Sequence, residues 1–265
     1  MNNTSDRVAI SFTLNETMGR SPLDGESGEV RPTGRIAPTA DQPDRKVQII
    51  ELAVFLFLIV PAMSTSFMIG DQSDINFVTG ALLSIVSDLG QASLVFYFIW
   101  RNGEPLRRLG WTFRMPSKEA LWGLALAPPV MVGANGLVSL LHALGLTAPA
   151  ELPSFLVISG RAIVALAAVL IIVVAIVEET IFRGYLILRL NTATGRPWLA
   201  IVLSAAIFSL GHGYEGGAGV VSVFFLGVVL GVVYLWRNSL IAPMTVHFLI
   251  DFSSLVLAAL WKTSS

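Results

Sequence analysis

The sequence predicts an all-α fold: a polytopic transmembrane helix bundle of about seven spans, or eight, around a polar intramembrane cavity. Three observations predict it. The chain is 54% hydrophobic and only 13% charged, with a mean hydropathy of +0.72, whereas soluble chains carry about 25% charged residues. From residue 47 onward it runs through successive apolar stretches, each near the roughly 20 residues that a bilayer-spanning helix needs. Several of these stretches also contain ionisable residues, which are costly in lipid unless they face a protein interior or a water-filled cavity.

Residues 1–43 are polar, rich in Ser, Thr, Asn, Gly, Asp and Pro, and have neither helical periodicity nor an apolar segment. That composition cannot bury a core, so a disordered tail is expected there, followed by one transmembrane helical domain over residues 44–265. It also lacks the apolar segment of a secretory signal. The expected spans are 47–69, 77–100, 119–141, 162–188, 198–212, 220–236 and 240–261. The fifth is the weakest, because Gly211, Gly213, Gly216, Gly217 and Gly219 crowd its end.

Basic residues set the orientation. Arg45 and Lys46 precede the first span, Arg101, Arg107, Arg108, Arg114 and Lys118 follow the second, Arg189 and Arg196 the fourth, and Arg237 the sixth. The intervening loops carry Asp71, Asp74, Glu151 and Glu215. Alternate loops therefore agree on a cytoplasmic N-terminus. A bacterial plasma membrane is the first expectation for location, a eukaryotic endomembrane the second. A formal net charge of −1 gives no polybasic face for nucleic acid. With no cysteine, disulfides, thiolate nucleophiles and zinc–cysteine sites are excluded.

The adjacent carboxylates Glu178 and Glu179, at the end of the apolar run Val173-Val174-Ala175-Ile176-Val177, carry the strongest chemical signal. Neighbours on a helix point about 100° apart, so the two cannot face the same way. Arg183 lies four residues after Glu179, the spacing at which a guanidinium meets a carboxylate on one helical face. That pairing neutralises Glu179 and leaves Glu178 free to act as a base. Phe208 and His212 end the fifth span, while His247 and Asp251 stand four apart in the seventh. Three helices thus bring ionisable groups that satisfy one another best in a shared pocket. Phe208 reads as a packing residue or pocket wall, and Asp88, Gln91 and Asn135 as polar positions that either pair or line the cavity. Gly227 and Gly231 permit close helix packing.

Glu178-Glu179-x-x-x-Arg183, Phe208-x-x-x-His212 and His247-x-x-x-Asp251, in this order, resemble the CPBP intramembrane protease family (CAAX protease and bacteriocin-processing, Abi). The resemblance covers about the C-terminal third. It implies that Glu178 and His212 activate a water for attack on a peptide carbonyl, that Glu179 and Arg183 support them, and that His247 and the residue four later serve the oxyanion. Eukaryotic CAAX enzymes carry Asn at that last position. Asp251 departs from this, and an ionised Asp cannot donate to an oxyanion, so it is expected to orient His247 instead.

Glutamate-dependent hydrolysis without a cofactor is favoured over a zinc site of Glu178, His212, His247 and Asp251, because the zincin His-Glu-x-x-His pattern is missing. The expected partners are the lipid bilayer and a peptide or membrane-protein substrate, prenylated proteins among them. Two other readings stay open. One is a non-catalytic bacteriocin immunity or membrane scaffold protein of the same family; the other is an ion-coupled transporter, since intramembrane Glu and His also build relays.

Overall fold

Seven helices follow one another among the described residues, 44–68, 75–147, 153–158 and 161–257 of a computed structural model, and no strand interrupts them. The expected polar tail at residues 1–43 lies outside the described residues. Helix α1 is Arg45–Ser64, closed by a tight turn at Thr65–Met68; α2 is Phe77–Arg101 and α3 is Pro116–Ala143. Helix α4 runs over Arg161–Glu178, widens into a π-helical stretch at Glu179–Leu186, and returns to α-geometry over Ile187–Thr194. Helix α5 is Pro197–Leu210 and α6 is Gly216–Arg237, while α7 is Ile241–Asp251 with a π-helical end at Phe252–Leu257.

Local chemistry explains the boundaries. Asp44 and Asn76 cap α1 and α2 by accepting from Lys46 N and Thr79 N at 2.9 and 3.0 Å, which satisfies donors that a helix start leaves free. Pro116 and Pro197 begin α3 and α5 where no intrahelical N–H is required. Gly195, at φ +67°, ends α4 in the left-handed conformation that glycine adopts without strain. Arg45 then donates to the last α4 carbonyls, Thr192 O and Ala193 O, at 3.1 and 2.9 Å.

Five helices, α1 to α4 and α6, are long and apolar enough to cross a membrane. Helices α5 and α7 are apolar but shorter. The 14 residues of α5 span about 21 Å at 1.5 Å per residue, against a hydrocarbon layer of about 30 Å. A helix of that length ends inside the layer, and His212 follows its end directly. Large apolar side chains face outward, including Phe57, Met68, Trp100 and Val132. Such a surface is tolerable in lipid and not in water.

The core gathers where α1, α2, α4 and α5 meet, around Phe55, Ile99, Leu109, Ile181, Tyr185 and Leu186. Missing side chains bring helices together elsewhere. A Cβ on Gly227 would lie 2.9 Å from Ala205 Cβ, and one on Gly231 2.8 Å from Ile201 Cγ2. The glycine pair of α6 is therefore spent on contact with α5 inside the bundle.

Candidate active site

The two adjacent carboxylates sit where α4 passes into its π-helical stretch, and they diverge. Glu179 is fully buried, and its Oε1 is shared by Arg183 Nη1 and by His247 Nδ1, each at 2.9 Å. A carboxylate only accepts, so His247 Nδ1 is the donor. The Arg183 contact is held by charge rather than by an in-line hydrogen bond. Glu178 keeps a fifth of its side-chain surface exposed. Its Oε2 has no hydrogen-bond partner among the described residues. That oxygen lies 3.7 Å from His247 Nε2, which is also 3.4 Å from Asp251 Oδ2.

Segment Glu179–Leu186 is buried at all eight positions, and a π-stretch of this kind is frequent at functional sites. Ser204 on α5 donates to Phe182 O at 2.6 Å, supporting a carbonyl of the widened turns. Gly184 is needed there, because a Cβ would come within 2.8 Å of Leu109 O.

His212 approaches from another side. Its Nδ1 lies 3.2 Å from Phe208 O, and a carbonyl accepts only, so the proton sits on Nδ1 and the lone pair on Nε2. Phe208 organises the cluster as a wall. Its ring is 4.9 Å from the His212 ring, 6.1 Å from the His247 ring and 4.9 Å from Phe182. The Arg183 guanidinium lies 4.5 Å above it, a cation–π contact that adds to the ion pair with Glu179.

These groups open onto a cavity of about 1030 Å³ lined by Glu178, His212, His247 and Asp251. Helices α1 and α2 supply its apolar wall, with Leu58, Ile59 and Leu83 among the residues. Asp88 and Gln91 line it too, while Asn135 is exposed on α3 and bonds its own helix at Met131 O. Glu215, expected in a loop, is half-buried on the cavity wall beside Tyr214. Glu178 and Asp251 thus each come within 4 Å of His247 Nε2. His212 shares the cavity with them but, among the described residues, ion-pairs with no carboxylate.

A second polar centre escaped sequence reading. Arg189, expected as a loop charge, has a fully buried side chain. It meets Glu104 at 2.6 and 3.2 Å, Gln48 at 2.7 Å and Glu51 at 3.7 Å. Glu51 is also bound by Arg101 at 3.0 Å and Asn102 at 2.8 Å, and Glu104 by Arg108 at 3.0 Å. The network ties α1, the α2–α3 connection and α4 together. One sequence signal hints at it: Gln48 and Glu51 fall inside the first apolar span, where a polar group needs a partner.

Among the candidate zinc ligands, Nδ1 of His247 is taken by Glu179 and Nδ1 of His212 by Phe208 O, so Nε2 is the nitrogen each ring would offer to an ion. Among the described residues, no three His, Asp or Glu side chains are grouped so as to hold an ion.

Residues 160–253 match the family model described as type II CAAX prenyl endopeptidase Rce1-like. That interval contains all seven residues of the three motifs, and the family agrees with the resemblance they carry. No curated protein and no solved structure matches the chain.

Proposed function

We propose, from the match of residues 160–253 to this peptidase family, that the chain is an intramembrane endopeptidase, CAAX-protease-like, hydrolysing a peptide bond of a peptide or membrane-protein substrate. The observation that carries the reading is the division of labour between neighbours. Glu179 is consumed by Arg183 and His247, while Glu178 keeps a fifth of its side-chain surface exposed on the wall of a cavity large enough for a peptide segment.

In this mechanism Glu178 takes a proton from water as the water oxygen bonds to the scissile carbonyl carbon. The lone pair of His212 Nε2 orients that water. The carbonyl oxygen gains negative charge and accepts from Nε2–H of His247, which in this step is an imidazolium with Nδ1–H on Glu179 and Asp251 beside it. The C–N bond then breaks, and the proton held by Glu178 passes to the leaving amine. The short reach of α5 and α7 favours cleavage within the hydrocarbon layer. The basic loops favour a cytoplasmic N-terminus, in which case the cavity wall formed by Ser66, Phe155, His212 and Glu215 lies toward the opposite side. Prenylated proteins are one substrate class, and unmodified membrane peptides another.

The test is mass spectrometry of new peptide termini after wild-type protein or Glu178→Gln is reconstituted with a library of prenylated and unprenylated membrane peptides. Termini made only by wild type, with equal thermal stability of the two proteins, support the proposal. Identical patterns overturn it and favour an immunity or scaffold role.

A further inference from the structure

We propose that Ser66 is a positioning residue for His212. Its role as a support for chemistry rests on the peptidase reading, but the clamp itself is independent of it.

His212 does not sit on a helix. It lies in the connection between α5 and α6 with φ −109° and ψ 22°, where local turn bonds, its N–H to Ser209 O at 3.1 Å and Glu215 N–H to its carbonyl at 3.0 Å, replace the helical ladder. The end of α5 also leaves carbonyls without intrahelical donors. Ser66, from the turn that closes α1, supplies what is missing. Its hydroxyl donates to Leu210 O at 2.6 Å and accepts from Gly213 N–H at 2.9 Å. Those two backbone groups bracket Gly211 and His212. One buried side chain, 5% exposed, thus holds both ends of the dipeptide that carries the imidazole.

The glycines on either side of His212 make this approach possible. A Cβ on Gly211 would lie 2.7 Å from Met63 Cε, and one on Gly213 2.5 Å from Phe67 Cγ. Met63, Ser66 and Phe67 therefore form a seat that needs a side-chain-free backbone after His212, where Phe67 N also lies 2.7 Å from the Cβ position, while the flexible Met63 end packs on Gly211 before it. On the opposite side, Phe208 O takes Nδ1, and the Tyr214 ring lies 6.0 Å from the imidazole. Backbone held by Ser66, with Nδ1 held by Phe208 O, leaves Nε2 as the free atom of a fixed ring. In sequence nothing marks Ser66, which sits 146 positions from His212 in an unremarkable Ser-Thr-Ser run.

The test compares wild type, Ser66→Ala and Ser64→Ala. Ser64 is the control, since its hydroxyl bonds only its own helix at Val60 O. Two readouts are taken on protein in detergent micelles: imidazole resonances of ¹⁵N-histidine-labelled protein, which has three histidines, and kcat and KM on a peptide that wild type cleaves. Ser66→Ala is expected to shift or broaden the His212 signal, leave that of His142 in place, and lower kcat by roughly 10–100-fold with little change in KM, as misplacing a catalytic group by about 1 Å does. Ser64→Ala is expected to match wild type. An unchanged His212 signal in folded Ser66→Ala overturns the proposal, whether or not melting temperature falls. If wild type cleaves nothing, the peptidase reading fails while the resonance arm still decides the clamp.

Discussion

Replacing Glu104 by alanine is expected to destabilise the bundle without touching the cavity. The Glu104 and Arg189 side chains are both fully buried, and their contact is bidentate at 2.6 and 3.2 Å. Truncating Glu104 strands the guanidinium in a medium that cannot solvate it. Breaking such a pair costs about 3–5 kcal/mol. Gln48 at 2.7 Å and Glu51 at 3.7 Å remain beside Arg189 and favour the lower end. At about 2–4 °C per kcal/mol for a domain of this size, 3 kcal/mol lowers the melting temperature by about 6–12 °C. Glu119→Ala offers a comparison, because the Glu119–Arg237 pair is also bidentate but keeps 12% and 17% of its side-chain surfaces exposed. Solvent screening reduces its loss to about 1 kcal/mol. Thermal unfolding in detergent micelles, followed by tryptophan fluorescence, measures both. Adding Arg189→Met to Glu104→Ala removes the stranded charge and should recover part of the loss, since Glu51 keeps Arg101 and Asn102. The reasoning is refuted if Glu104→Ala melts no lower than Glu119→Ala, or if the double variant is no more stable than the single one.

Two more expectations follow from geometry. Gly123→Ala places a Cβ 2.5 Å from Thr245 Cβ and 2.7 Å from Ala242 O, forcing α3 away from α7 at a cost of about 1–3 kcal/mol. Gly133→Ala on the same helix meets nothing within 4 Å and should be neutral or stabilising by up to about 1 kcal/mol, so equal melting temperatures for the two would contradict the packing. Because the polar side chains of the cavity are not grouped as a ligand set, prolonged chelation should leave cleavage by wild type unchanged; activity that is lost and returns with zinc would show a metal centre instead.

Much of the bundle was legible because hydropathy is a local property. The seven expected spans coincide with the seven helices to within a few residues at most ends. The helical repeat likewise made the Glu179–Arg183 pair readable, since four residues is one turn. Length was read less well for α5, whose apolar run stops at Leu210 and leaves His212 in a connection rather than on a helix. Glycines after a helix end signal that stop.

What the sequence determined by itself is the class of solvent, the number of helices and the types of residue that chemistry can use, all set by composition and by spacing within about one turn. Partnerships between distant residues belonged to the tertiary structure. Glu179 is fastened to His247 across 68 positions, Arg189 to Gln48 across 141 and Ser66 to Gly213 across 147. The physical reason is common to all three. A buried polar group must find a partner somewhere, but which one it finds depends on how apolar faces pack, and packing has no fixed interval along the chain. The Arg183 spacing already marked Glu179 as the paired carboxylate; folding added its second partner, His247, and left Glu178 facing the cavity.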